Sequence, residues 1–124
     1  MIKYLTSEQV IEINKEVLKE IKVKKADSFK VLSPLKLSRA LEGVEDAKGN
    51  AYDKAVVLLK NLAQEHPFAS GNRRTAVVAV LKFLETNSCK ARLSLSPKVL
   101  QGVRESYYSD KEIKEWLMGG EIRE

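Results

Sequence analysis

The chain has 124 residues, of which 44% are hydrophobic and 31% charged, with a formal net charge of +5. That balance describes one soluble globular domain able to bury a core and excludes a disordered tail, and no apolar run nears the roughly 20 residues of a membrane-spanning helix. One cysteine, Cys89, and one histidine, His66, exclude an internal disulfide framework and a zinc site made of those ligands, and they fit a reducing cytoplasm.

Met1 to Leu5 lacks a signal-peptide layout and leads straight to a helix cap. Thr6-Ser7-Glu8-Gln9 forms a capping box, after which Val10, Ile13, Val17 and Ile21 recur at helical spacing. The basic run Lys22 to Lys25, with Asp27-Ser28, ends this first helix. These lysines, with Lys15 and Lys19, read as a solubilising face, although the charge also admits anionic partners. Ser33-Pro34 starts a second helix with Leu37, Ala40, Leu41 and Val44 on its apolar stripe, and Gly43 weakens it near its end. Ala51 to Glu65 forms a third, with Tyr52, Ala55, Val56, Leu59, Leu62 and Ala63 facing inward.

Ala76 to Leu81 is apolar on nearly every side, with Phe83 and Leu84 beyond it. Six apolar residues in a row also suit a buried strand, but Arg73 to Glu85 is too long and uniform for one, which predicts a helix buried all round at the centre of a bundle. Asn87-Ser88 closes it, with asparagine suited to the left-handed cap position. Cys89 to Leu95 alternates loosely, as an extended segment does. Ser96-Pro97 begins another helix carrying Val99, Leu100 and Val103. Ser109-Asp110-Lys111-Glu112 is a capping box ahead of Ile113, Trp116 and Leu117, and Gly119-Gly120 stops that helix. The expectation is all-α: a single domain over residues 1–124, with five or six helices around a buried central one, a core at about 4–118 and a frayed tail at 119–124.

The stretch His66-Pro67-Phe68-Ala69-Ser70-Gly71-Asn72-Arg73-Arg74-Thr75 stands at the head of the apolar helix. Pro67 disfavours helix at the residue before it, and Gly71 permits a sharp turn. A helix N-terminus offers unpaired N–H groups and partial positive charge to an anion, above all phosphate. Imidazole suits proton transfer near neutral pH, Asn72 and the first amides can form a nest, and Arg73 and Arg74 can neutralise phosphate charge. Phe68 reads as the apolar anchor of the loop, and Thr75 and Ala76 as the start of the buried helix.

His66-Pro67-Phe68-x-x-Gly71-Asn72-x-Arg74 resembles the signature of the Fic/Doc family, with similarity running from about Tyr4 to Trp116. Arg73-Arg74-Thr75-Ala76 is closer to the Doc (death-on-curing) branch, as is the lack of room for a long flap hairpin. Fic enzymes carry Gly at the first of these positions and a second Arg where this chain has Val77.

The resemblance implies an enzyme that transfers a phosphoryl or nucleotidyl group from ATP or another nucleoside triphosphate to a protein hydroxyl. It makes His66 the general base, gives Gly71 and Asn72 to the anion hole and sets Arg73 and Arg74 on phosphates. On the Doc pattern the target is a translation protein such as elongation factor Tu, and a small antitoxin covers the site. The residues themselves point to the cytoplasm and away from a membrane partner, and the lack of a recognition helix with base-reading side chains disfavours nucleic acid. The Fic-type alternative is transfer of AMP.

Ser70 departs from the family pattern, which usually has Asp or Glu, or a close substitute, there to help hold magnesium. A serine hydroxyl is a weak ligand for a hard cation, so Mg2+ is doubtful unless phosphates and water hold it, and the second alternative is a module that binds nucleotide, nucleic acid or protein without catalysis. Ser38-Arg39-Ala40-Leu41-Glu42-Gly43 also fits a short self-inhibition pattern, in which the glutamate pairs with a signature arginine. It reads more simply as core helix.

Overall fold

The computed structural model describes residues 1–20, 30–93 and 96–123, and six α-helices make up the fold among them. They are α1 (Ser7–Glu20), α2 (Pro34–Asp46), α3 (Ala51–Glu65), α4 (Asn72–Thr86), α5 (Pro97–Arg104) and α6 (Asp110–Leu117). Ile21, the basic run from Lys22 and Asp27-Ser28 lie outside the described residues. Most starts follow the cap chemistry: Ser33, Asn50, Ser96 and Ser109 each accept an N–H from the first turn, and Thr6 and Gln9 bond reciprocally as a capping box.

The bundle is built around α3, which packs against α2, α4, α5 and α6. Ala55, Leu58, Leu59, Leu62 and Ala63 are buried along it. Tyr52 is only half-buried and sends its hydroxyl to the Lys90 carbonyl (2.6 Å). Lys54 is buried as well, donating to the carbonyls of Val44, Glu45 and Ala47 where α2 ends. Its ammonium there offsets the negative end of the α2 dipole.

The fourth helix departs from its expected all-round burial. Val77, Val80, Phe83 and Leu84 are in the core, but Val78 and Leu81 are each 37% exposed on a stripe shared with Arg74, Lys82 and Glu85. Helix α4 packs on α1, α3 and α5, so one side is left to solvent. Composition alone does not reveal which side of an apolar helix lacks a neighbour.

At its end Ser88, and not Asn87, takes the left-handed backbone (φ 57°). Ser88 N–H bonds to Glu85 O and Cys89 N–H to Leu84 O, while the Asn87 amide ties the chain to Lys3. Residues 89–93 form no regular element, and 94–95 lie outside the description. Gly119-Gly120 does stop α6, with Gly119 left-handed (φ 101°) and Gly120 N–H bonded to Glu115 O. The tail then folds back where fraying was expected. Ile122 packs on the core, Arg123 pairs with Glu112 (2.7 Å), and Tyr108 donates to the Arg123 carbonyl (2.8 Å).

Candidate functional site

Helix α3 ends at Glu65, and His66 caps it in the left-handed region (φ 51°, ψ 58°). That conformation costs a residue with a side chain about 1–2 kcal/mol, so its surroundings must hold it. Backbone pairing is one restraint: Leu32 and Ser33 N–H both donate to Pro67 O (2.9 and 3.2 Å), and Ala69 N–H donates to Lys30 O (2.9 Å). Phe68, 1% exposed, is the expected core anchor. The Asn72 amide is matched to the Phe68 backbone, accepting its N–H at 3.0 Å and donating to its carbonyl at 2.8 Å. Asn14 of α1, fully buried, donates to the Ser70 carbonyl and to Thr75 Oγ1, each at 3.0 Å.

The loop ends in Gly71, which is the N-cap of α4 at φ 75°. Each of the other five helices has a side-chain cap, and α4 has none. The first-turn amides of Asn72, Arg73 and Arg74 therefore keep their capacity for an external acceptor, at the positive end of the helix dipole. That end opens into a cavity of about 430 Å³ walled by His66, Ala69, Ser70 and Gly71, by Arg73 and Arg74, and by Pro97, Leu100 and Arg104 of α5. Among the described residues, no carboxylate lines it.

The electrostatics are one-sided. The His66 pKa is held below 6.5, first by burial and then by the positive charges of Arg104, Arg73 and Lys36. The ring is thus neutral at neutral pH, the form that can accept a proton. Its contacts are less accommodating. Asn72 Nδ2 lies 3.3 Å from His66 Nδ1, and Phe68 fixes that amide as a donor, so Nδ1 presents its lone pair and the ring hydrogen belongs on Nε2. Nε2 is buried without a hydrogen-bond partner. The ring must turn, or release Asn72, before it can take a proton from a guest.

His66, Ser70, Gly71, Asn72, Arg73 and Arg74 are thus brought to one cavity, with Phe68 beneath it. The side chain of Asn72, expected on phosphate, is instead 7% exposed and committed to Phe68 and His66, which leaves its backbone N–H as its free anion donor. Glu42 does not line the cavity, and neither Arg73 nor Arg74 forms an ion pair among the described residues. Ser38 to Gly43 is part of α2, as the simpler reading had it.

Magnesium does not fit the donors present. Besides the uncharged Ser70 and Ser96, the described lining offers the His66 imidazole, the Asn72 amide and three arginines, and no group of three or more His, Cys, Asp or Glu side chains able to hold a metal exists among the described residues.

Arg104, Asn14 and the strand-like contact of residues 30–33 were not anticipated. Asn14 had a local signal, a polar residue within the Val10–Ile13–Val17 stripe. Arg104 had none.

A model of the Fic/DOC family matches residues 4–84. The chain belongs to the Fic/DOC family. The match takes in α1 to α3, the loop and nearly all of α4, so the loop geometry above belongs to the family's own segment. Helix α5, which supplies Arg104, follows the matched residues. No curated protein matches the sequence. Membership supports nucleotidyl or phosphoryl transfer as the broad chemistry of this Fic/DOC chain. Among the described residues, no helix is long and apolar enough to cross a membrane.

Proposed function

We propose that this Fic/DOC chain binds a nucleoside triphosphate in the His66 cavity and transfers phosphate from it to the hydroxyl of a protein. The observation that carries the reading is the uncapped N-terminus of α4 opening on a cavity shared by one neutral imidazole and three arginines. In the transfer, the acceptor hydroxyl gives its proton to His66 while its oxygen forms a new bond to phosphorus. The bond from that phosphorus to the bridging oxygen breaks, and nucleoside diphosphate leaves with the electron pair. Amides of α4 and the guanidinium groups of Arg73 and Arg74 stabilise the charge that develops on the phosphoryl oxygens.

Transfer to a translation factor, and a small antitoxin as partner, are the finer parts of the proposal. They rest on the Doc-like run Arg73-Arg74-Thr75-Ala76. AMP transfer differs only in the phosphorus attacked and in the leaving group, which is then pyrophosphate. A second reading, nucleotide binding without transfer, is favoured by the enclosed Nε2 of His66 and by Ser70.

Incubation of purified protein and a cell extract with ATP labelled at the α or the γ phosphate separates the three. Label on protein from γ-labelled ATP alone is the expected result, and it should vanish with His66→Ala. Label from α-labelled ATP assigns AMP transfer. Nucleotide binding with no label from either assigns the binding module.

A further inference from the structure

Three arginines, Arg73, Arg74 and Arg104, line the one cavity. None of the three forms an ion pair among the described residues, although the chain makes exposed pairs elsewhere, such as Lys15–Glu12 and Lys19–Glu16. Like charges held around one concave space, with no carboxylate among the described residues that line it, leave their neutralisation to a guest. The guest must be polyanionic, because the α4 amides add a further set of donors on the same side.

Among the described residues the cavity also lacks what a metal-bridged polyphosphate needs. A divalent cation between phosphates and protein takes at least one carboxylate from most sites of this kind. Here the loop carries Ser70 on the cavity wall, and the next acidic residue back, the exposed Glu65, belongs to α3 and does not line the cavity.

We infer that Arg104 of α5 is a phosphate-binding residue, and that it neutralises the polyphosphate together with Arg73 and Arg74 in place of a protein-held divalent cation. Arginine is chemically suited to this role, since its planar fork gives two parallel hydrogen bonds to phosphate and its charge does not depend on pH. Arg104 is well placed for it, being at the last turn of α5 with Leu100 one turn earlier on the same cavity wall. Arg104 shares the cavity lining with His66, and its positive charge is, after burial, the first cause of the lowered His66 pKa. Because α5 follows the family-matched segment, this cation is supplied by the chain's own C-terminal third.

The inference rests on the nucleotide reading above, and the test keeps the two apart. Calorimetric titration of the whole protein with ATP is run with EDTA and with excess Mg2+. Wild type should bind in both, with affinities within about threefold of each other. Arg104→Gln should weaken binding in EDTA by about tenfold or more, the loss of one charge-assisted contact, and Arg104→Lys by less. Lys98→Gln, a change to an exposed cation on the same helix outside the cavity, should stay within about twofold of wild type, as a remote surface charge does. Ser70→Asp should bring a dependence on Mg2+.

Binding seen only with Mg2+, or an Arg104→Gln affinity equal to wild type in EDTA with unchanged thermal unfolding, overturns the role of Arg104. No ATP binding in either buffer overturns the nucleotide reading itself, and this inference with it.

Discussion

Gly71→Ala probes how the head of α4 is fixed. Gly71 has φ 75°, and a Cβ there would lie 3.3 Å from Leu18 Cδ2 and 3.4 Å from both Asn14 Nδ2 and Val17 Cγ1. The backbone conformation costs an alanine about 1–2 kcal/mol. The 3.4 Å approaches are ordinary contacts, and only the end of the flexible Leu18 side chain must yield, so crowding adds at most about 1 kcal/mol, the low end for overpacking. Restricting the unfolded chain returns about 0.4–1 kcal/mol. The net loss is about 1–2.5 kcal/mol, which at about 4 °C per kcal/mol lowers the midpoint by about 4–10 °C.

Scanning calorimetry measures this directly. In a Leu18→Ala background the same substitution loses one crowding contact and keeps the strain, so more than half of the drop should persist. A Gly71→Ala midpoint within about 1 °C of wild type refutes the account of strain and close approach together.

Lys54→Met should destabilise the fold by about 2–3 kcal/mol, because the carbonyls of Val44, Glu45 and Ala47 lose a buried charged donor. Urea titration should show a lower midpoint at an unchanged slope. For His66, the folded pKa lies below the ordinary 6.5, so the unfolded chain takes up the proton first. Its contribution to stability is intact above pH 6.5 and declines as pH falls through 6.5 toward the folded value. NMR titration of the imidazole should find the lowered midpoint, Arg104→Gln should move it back up, and His66→Gln should remove that part of the acid destabilisation. The Glu112 carboxyl, held at about 2 chiefly by its hydrogen bond from Arg123, should rise toward 4.5 in Arg123→Ala and stop short of it, because the Ser109 N–H still donates. Carboxyl NMR titration reads this, and an unmoved Glu112 would show that Arg123 does not hold it.

The amino-acid sequence determined the local structure and the chemistry of the loop. Helix starts follow from Thr6, Ser33, Ser96 and Ser109 because a cap is a contact between near neighbours, and the signature from His66 to Arg74 is likewise contiguous. What depends on distant partners was decided by the tertiary structure. Val78 and Leu81 look like core and are exposed, because α4 has neighbours on only part of its surface. Asn72 looks like a phosphate ligand, yet its amide is committed to Phe68 and His66 once the turn at Gly71 folds the loop back. Asn14 reaches Ser70 across 56 positions of sequence. Arg104 joins the site only because α5 packs beside the loop, and no local pattern in the sequence encodes which helix ends come to share a cavity.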